Sequence, residues 1–141
     1  MILANAAAWP AQLAVPGAAR RPRPDKWSAL EYGCHVRDVL RLYDYRLTLM
    51  LTKDDPLYPN WDQDETAVAD RYDTQDPATV ADELAAAAEA IAARFDTVSG
   101  AQWERPGRRG DGAVFTVETF ARYFVHDPVH HLYDVTGRRY A

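Results

Sequence analysis

The chain has little cysteine, no long apolar run and an excess of acid over base, and each shortage removes a class of protein. Cys34 is the single cysteine among 141 residues, so no internal disulfide can form. A lone thiol suits a reducing compartment, and a cytoplasmic protein is expected. No apolar run approaches the ~20 residues that a membrane-spanning helix needs. With 16 Lys and Arg against 21 Asp and Glu the net charge is −5. Nucleic acid requires a basic face and is not expected as a partner. The alanine-rich start, Met1 to Ala19, has no basic residue and is interrupted by Pro10 and Pro16, which does not fit a secretory leader.

What is present suits one globular domain over 1–141, with 48% hydrophobic and 26% charged residues. There is no internal repeat, and nothing alternates in strand fashion beyond a few residues, so an all-α fold is expected. Three helices carry their own start signals. Ser28 and Glu31 form a capping box flanked by a Trp27/Tyr32 staple, opening a helix that runs to about Leu51. Asp76 caps a second from Pro77 to Val98, with Gly100 as its stop. Thr116 caps a third that runs to about Val135, stapled by Phe115 and Phe120 and ended by Gly137. Pro128, deep inside it, should bend it. A fourth, short helix is expected within Ile2 to Val15.

Two connections stand out. Lys53 to Gln75 reads as a long irregular stretch, of a length that tends to cover sites, and its acidic run Asp62 to Glu65 reads as a solvated face. Glu104 to Val114 reads as a loop whose Arg105, Arg108 and Arg109 either attract an anionic substrate or are simply solvated.

Histidine is scarce, and its placement is informative. Of four, His126, His130 and His131 lie within six residues, with Asp127 among them, and His35 sits early in the first long helix. Residues four apart share a helix face, so His126/His130 and Asp127/His131 are two candidate pairs, either able to meet His35. Three protein donors with positions left open is the arrangement of a catalytic metal site, and bundle interiors are a recurrent place for one. The apolar stripe Val117, Phe120, Phe124 and Val135 continues through Asp127 and His131, which favours that pair. The competing reading is an ordinary hydrogen-bonded Asp–His pair with the other histidines on the surface. Cys34, next to His35 but about 100° round the helix, reads as a small buried hydrophobe.

Trp27-Ser28-Ala29-Leu30-Glu31 leading to His35, together with Phe115-Thr116 and the His126 to Val135 block, resembles the DinB-like superfamily. The resemblance covers about Trp27 to Val135. It implies an up-down-down-up four-helix bundle whose long crossover matches Lys53 to Gln75, a divalent metal, and commonly a homodimer. Three histidines are the usual ligands. His131-Leu132-Tyr133-Asp134-Val135 resembles the ending in the mycothiol-dependent maleylpyruvate isomerase branch, where a carboxylate replaces the middle histidine. That alignment implies His35, Asp127 and His131 as ligands; the three-histidine alignment implies His35, His126 and His130. Pro128 departs from the pattern. The sequence shows no match to the isomerase's additional domain, so maleylpyruvate isomerisation is not implied.

The function expected on this basis is a metal-dependent enzyme of the thiol S-transferase type. Zn²⁺, suited to the donors, would activate a low-molecular-weight thiol such as mycothiol, bacillithiol or glutathione. A metal-dependent hydrolase is the alternative, and a stress or binding protein with structural histidines is a third reading.

Overall fold

Ser28 starts the longest helix as its sequence requires. In the computed structural model, which describes residues 2–137, the Glu31 backbone N–H donates to Ser28 Oγ and the Ser28 N–H to Glu31 Oε1, both at 3.1 Å. The Trp27 and Tyr32 rings meet edge to face at 5.4 Å. Helix α3 then runs over Ala29–Thr52. Ahead of it the short N-terminal helix is split in two, α1 (Ile2–Ala7) and α2 (Trp9–Ala14), with Pro10 in the first turn of the second, where a missing N–H costs nothing.

The other two long helices are α5 (Pro77–Asp96), capped by Asp76, and α6 (Val117–Thr136), capped by Thr116. Helix α5 ends two residues before the expected Val98, and Gly100 instead opens a 3₁₀ turn, Gly100–Glu104. Phe115 and Phe120 meet edge to face at 6.2 Å. Gly137, at φ +70°, adopts the left-handed conformation that closes α6, and its N–H donates to the Tyr133 carbonyl.

The expected irregular crossover is more ordered than its composition suggests. It holds strand β1 (Leu57–Tyr58), helix α4 (Gln63–Ala69) and a 3₁₀ turn at Tyr72–Thr74. The acidic run is the start of α4. Asp62 accepts the backbone N–H groups of Asp64 and Glu65, and those acids lie in the first turn, where the helix dipole favours negative charge. The basic loop is mostly a hairpin, β2 (Pro106–Arg109) and β3 (Val114–Thr116), and β1 pairs with β2 in parallel, giving a small three-stranded sheet in the order β1-β2-β3. Gly107 makes this possible, because a Cβ there would come within 2.7 Å of Met50 Cγ.

The elements form a four-helix bundle in which α1 and α2 together act as one member, packing on α5 and α6, while α3 also packs on α5 and α6. Leu30, Leu40, Leu84, Ile91, Phe124 and Leu132 are among the side chains buried at its centre. A second apolar cluster, including Leu47, Met50, Val117 and Phe120, anchors the small sheet to the far end of α3. Arg105 closes that end: its guanidinium donates to the Met50 and Lys53 carbonyls at 2.6 and 2.9 Å, satisfying groups left open at a helix C-terminus. Among the described residues no helix is long and apolar enough to cross a membrane.

Candidate metal centre

The core stripe of α6 runs through Val117, Phe120, Phe124, Pro128 and Leu132. It therefore passes beside Asp127 and His131 rather than through them, and Val135 is only half-buried. That phase puts the two polar residues on the flank of the buried face, turned towards α3. Helix α6 runs through Pro128 as one unbroken element. The Pro128 carbonyl accepts a hydrogen bond from Asn5 Nδ2 at 3.2 Å, which ties α1 to this turn.

His35, on α3, is fully buried and meets Asp127 across the helix interface, Nε2 to Oδ2 at 3.0 Å. The other carboxylate oxygen, Oδ1, faces His131 Nε2 at 3.2 Å. The two imidazoles stand edge to face with centroids 4.6 Å apart. One donor atom from each of His35, Asp127 and His131 lies within 4.8 Å of the others. His126 and His130 do not join this group. His130 instead belongs to a second cluster with His131 and Asp134, sharing His131 with the first.

The surroundings hold the donors in place. His131 Nδ1 is 3.1 Å from Asp134 Oδ2, so a carboxylate orients the ring from behind and leaves Nε2 facing the cluster. His35 lies against two indoles, Trp61 stacked on it at 5.5 Å and Trp27 tilted at 5.5 Å. Its Nδ1 is buried without a hydrogen-bond partner. Burial opposes the negative charge on Asp127, but hydrogen bonds and positive charge from His131 and His35 outweigh it and hold the carboxyl well below its ordinary range. Burial likewise opposes the positive charge on His131, and Asp127, then Asp134, overcome it and raise its pKa. The cluster is thus a carboxylate facing two imidazole nitrogens, a donor set that fits a divalent cation of borderline softness.

The cluster sits at the His35 end of a cleft of about 720 Å³. One wall is the α3 stripe His35, Val39, Leu42, Tyr43 and Arg46; another is Tyr123, His126, Asp127 and His130 of α6. The crossover supplies Asn60 to Gln63, and the hairpin supplies Arg109 and Asp111. Burial pushes the Tyr43 phenol up to about 12, with the Tyr123 hydroxyl adding to the effect, so it stays a neutral hydrogen-bonding group. The basic loop divides: Arg105 caps α3, Arg108 pairs with Asp55, and Arg109 alone reaches the cleft, where it donates to both oxygens of Asp111. Asp134 lies within the His131 to Val135 motif without a role assigned to it from sequence, and Arg46 was not singled out. Only Asp134 left a readable signal, an acid three residues after a histidine on one helix.

A four-helix bundle with a two-histidine, one-carboxylate cluster between α3 and α6, its second and last members, defines the class. The sequence profile of the DinB superfamily matches residues 7–135, and the chain belongs to that superfamily. Among solved structures the fold matches YfiT from Bacillus subtilis, described as a probable metal-dependent hydrolase with an unusual four-helix bundle topology. The TM-score is 0.82 at 20% identity, over 96% of this chain and 81% of that one. Among curated proteins none matches the chain.

Proposed function

We propose that the protein is a divalent-metal-dependent enzyme in which His35, Asp127 and His131 hold the ion, Zn²⁺ by the chemistry of the donors. The observation carrying this reading is the convergence of those three donor atoms within 4.8 Å, two of them, from His35 and Asp127, on residues that line a cleft large enough for a small molecule. When bound, a divalent cation supplies Lewis-acid chemistry, lowering the pKa of a thiol or a water placed in its open position.

The chain's own residues do the rest. His35 and His131 would each give the ion an imidazole nitrogen, Asp127 brings the negative charge, and Asp134 fixes the His131 ring. Trp27 and Trp61 wall the His35 side against water. His126 and His130 stand on the cleft wall, where either can accept a proton from the nucleophile. The reaction taken first, following the superfamily resemblance, is conjugation of a low-molecular-weight thiol of the mycothiol kind, whose sulfur would bond to an electrophile as the thiol gives up its proton and the electrophile its leaving group or π bond. A second reading, hydrolysis by an activated water, is favoured by the description of the structural match YfiT.

Metal analysis of the untagged protein should find about one equivalent of a divalent ion, and His35→Ala should lose it. A metal-free wild type with a normally stable His35→Ala would sink both reactions. With Co²⁺ in the site, mycothiol, bacillithiol or glutathione should change the visible spectrum if the thiol reading holds. A spectrum indifferent to all three leaves hydrolysis as the activity to assay.

A further inference from the structure

Two arginines of α3 are nearly buried, and the fold treats them differently. Arg37, 4% exposed, meets Asp38, Gln75 and Glu83 through its guanidinium. Arg46, 3% exposed, makes one hydrogen bond, Nη2 to the Pro59 carbonyl at 2.8 Å. Its Nε is buried with no partner, and no carboxylate among the described residues forms an ion pair with it. The guanidinium lies 4.7 Å from the centre of the Tyr58 ring and 5.5 Å from that of Tyr43, and those faces are its main electrostatic company. Asp111 also acts on it at a distance, but that carboxylate is taken up by two hydrogen bonds from Arg109.

A buried cation left without an anion is costly, and such groups in a native protein call for a reason. Arg46 lines the same cleft as the metal cluster. It stands eleven residues after His35, close to three full turns, so both project from one side of α3 about 16 Å apart along the axis. Arg109 lines this end too, but its charge is matched by Asp111, so Arg46 is the cation left over there.

We propose that Arg46 receives an anionic group, carboxylate or phosphate, of an elongated ligand whose reacting end lies at His35, Asp127 and His131. The planar guanidinium suits both anions, since its forked donors match two oxygens at once. The inference rests on the metal reading for the reacting end only; the anion site itself is built by Arg46, Tyr43 and the Pro59 turn. It makes the substrate an anion held by its tail, with the cleft length setting the distance from tail to reacting atom.

The test uses inorganic phosphate and acetate as separate probes, titrated into the purified protein while the Arg46 Nε–H resonance, and in every variant the backbone amide resonances of the cleft residues, are followed by NMR. A saturable shift with either anion is expected. A stronger response to phosphate assigns a phosphorylated ligand, and a response to acetate alone assigns a carboxylate. Arg46→Met should weaken binding about tenfold or more, and Arg46→Lys, which keeps charge without the fork, should recover part of it. Should Arg46→Met fail to fold, the wild-type resonance and Arg46→Lys still decide. An Arg46 signal indifferent to both anions, or anion binding unchanged in a folded Arg46→Met, overturns the proposal. The same titration in His35→Ala separates the two readings: loss of metal with anion binding kept bears on each site independently, and a wild type that binds metal but neither anion overturns the anion site alone.

Discussion

His131 Nδ1 lies 3.1 Å from Asp134 Oδ2, one turn further along α6, while the opposite nitrogen of the same ring faces Asp127. The imidazole is therefore held between two carboxylates of its own helix. Asp134→Asn should keep the fold and the metal but lower metal affinity roughly 10- to 100-fold, the usual effect of removing a partner behind a ligating histidine. Competition against a chromophoric chelator measures it. An affinity equal to wild type would show that Asp134 does not orient the ring.

His126 and His130 give the matching contrast. Because neither belongs to the three-donor group with His35, His126→Ala and His130→Ala should each bind metal as wild type does. His131→Ala should not. Metal lost from His126→Ala and kept in His131→Ala would move the site to the other face of α6.

Glu31 offers a pH-dependent test of the capping box. Burial disfavours its charge, but hydrogen bonds from Arg21 and Ser28 outweigh this and hold its pKa below the ordinary value. A carboxyl depressed in the folded state stabilises above its unfolded pKa, about 4.3, and loses that contribution as pH falls through the folded value. Wild type should thus exceed Glu31→Gln by about 1–2 kcal/mol at pH 7, allowing for the half-exposed Arg21. Urea unfolding between pH 7 and pH 2.5 should show the gap closing at the acid end. A gap that persists at the lowest pH would assign it to packing.

Cys34 should be chemically silent in the native protein. It is fully buried, and desolvation pushes its thiol up to about 12. Alkylation by iodoacetamide at pH 8 should proceed only as the protein opens, with a rate that follows urea concentration. Rapid labelling without denaturant would contradict this packing.

The start signals of the long helices were legible because they are local. Ser28 with Glu31, Asp76 with Pro77, and Thr116 each satisfy donors within three residues, so a short stretch of sequence contains the whole interaction. The spacing of Asp127 and His131 was legible for the same reason. The order inside Lys53 to Gln75 was less so. Strand β1 exists only because β2, some fifty residues later, pairs with it, and no local pattern in two residues foretells that. The stacking of Trp61 on His35 and the isolation of Arg46 were not legible, since both depend on segments distant in the chain.

By itself the sequence determined which long helices form, where they start, and which four residues can meet His35, because caps and helical periodicity act over one or two turns. Tertiary structure decided which of them do. The rotation of α6 follows from burying Phe124, Pro128 and Leu132, and that packing turns Asp127 and His131 towards α3. It also left Arg46 without an ion-pair partner among the described residues, since charge compensation inside a fold depends on which side chains arrive together, not on their order along the chain.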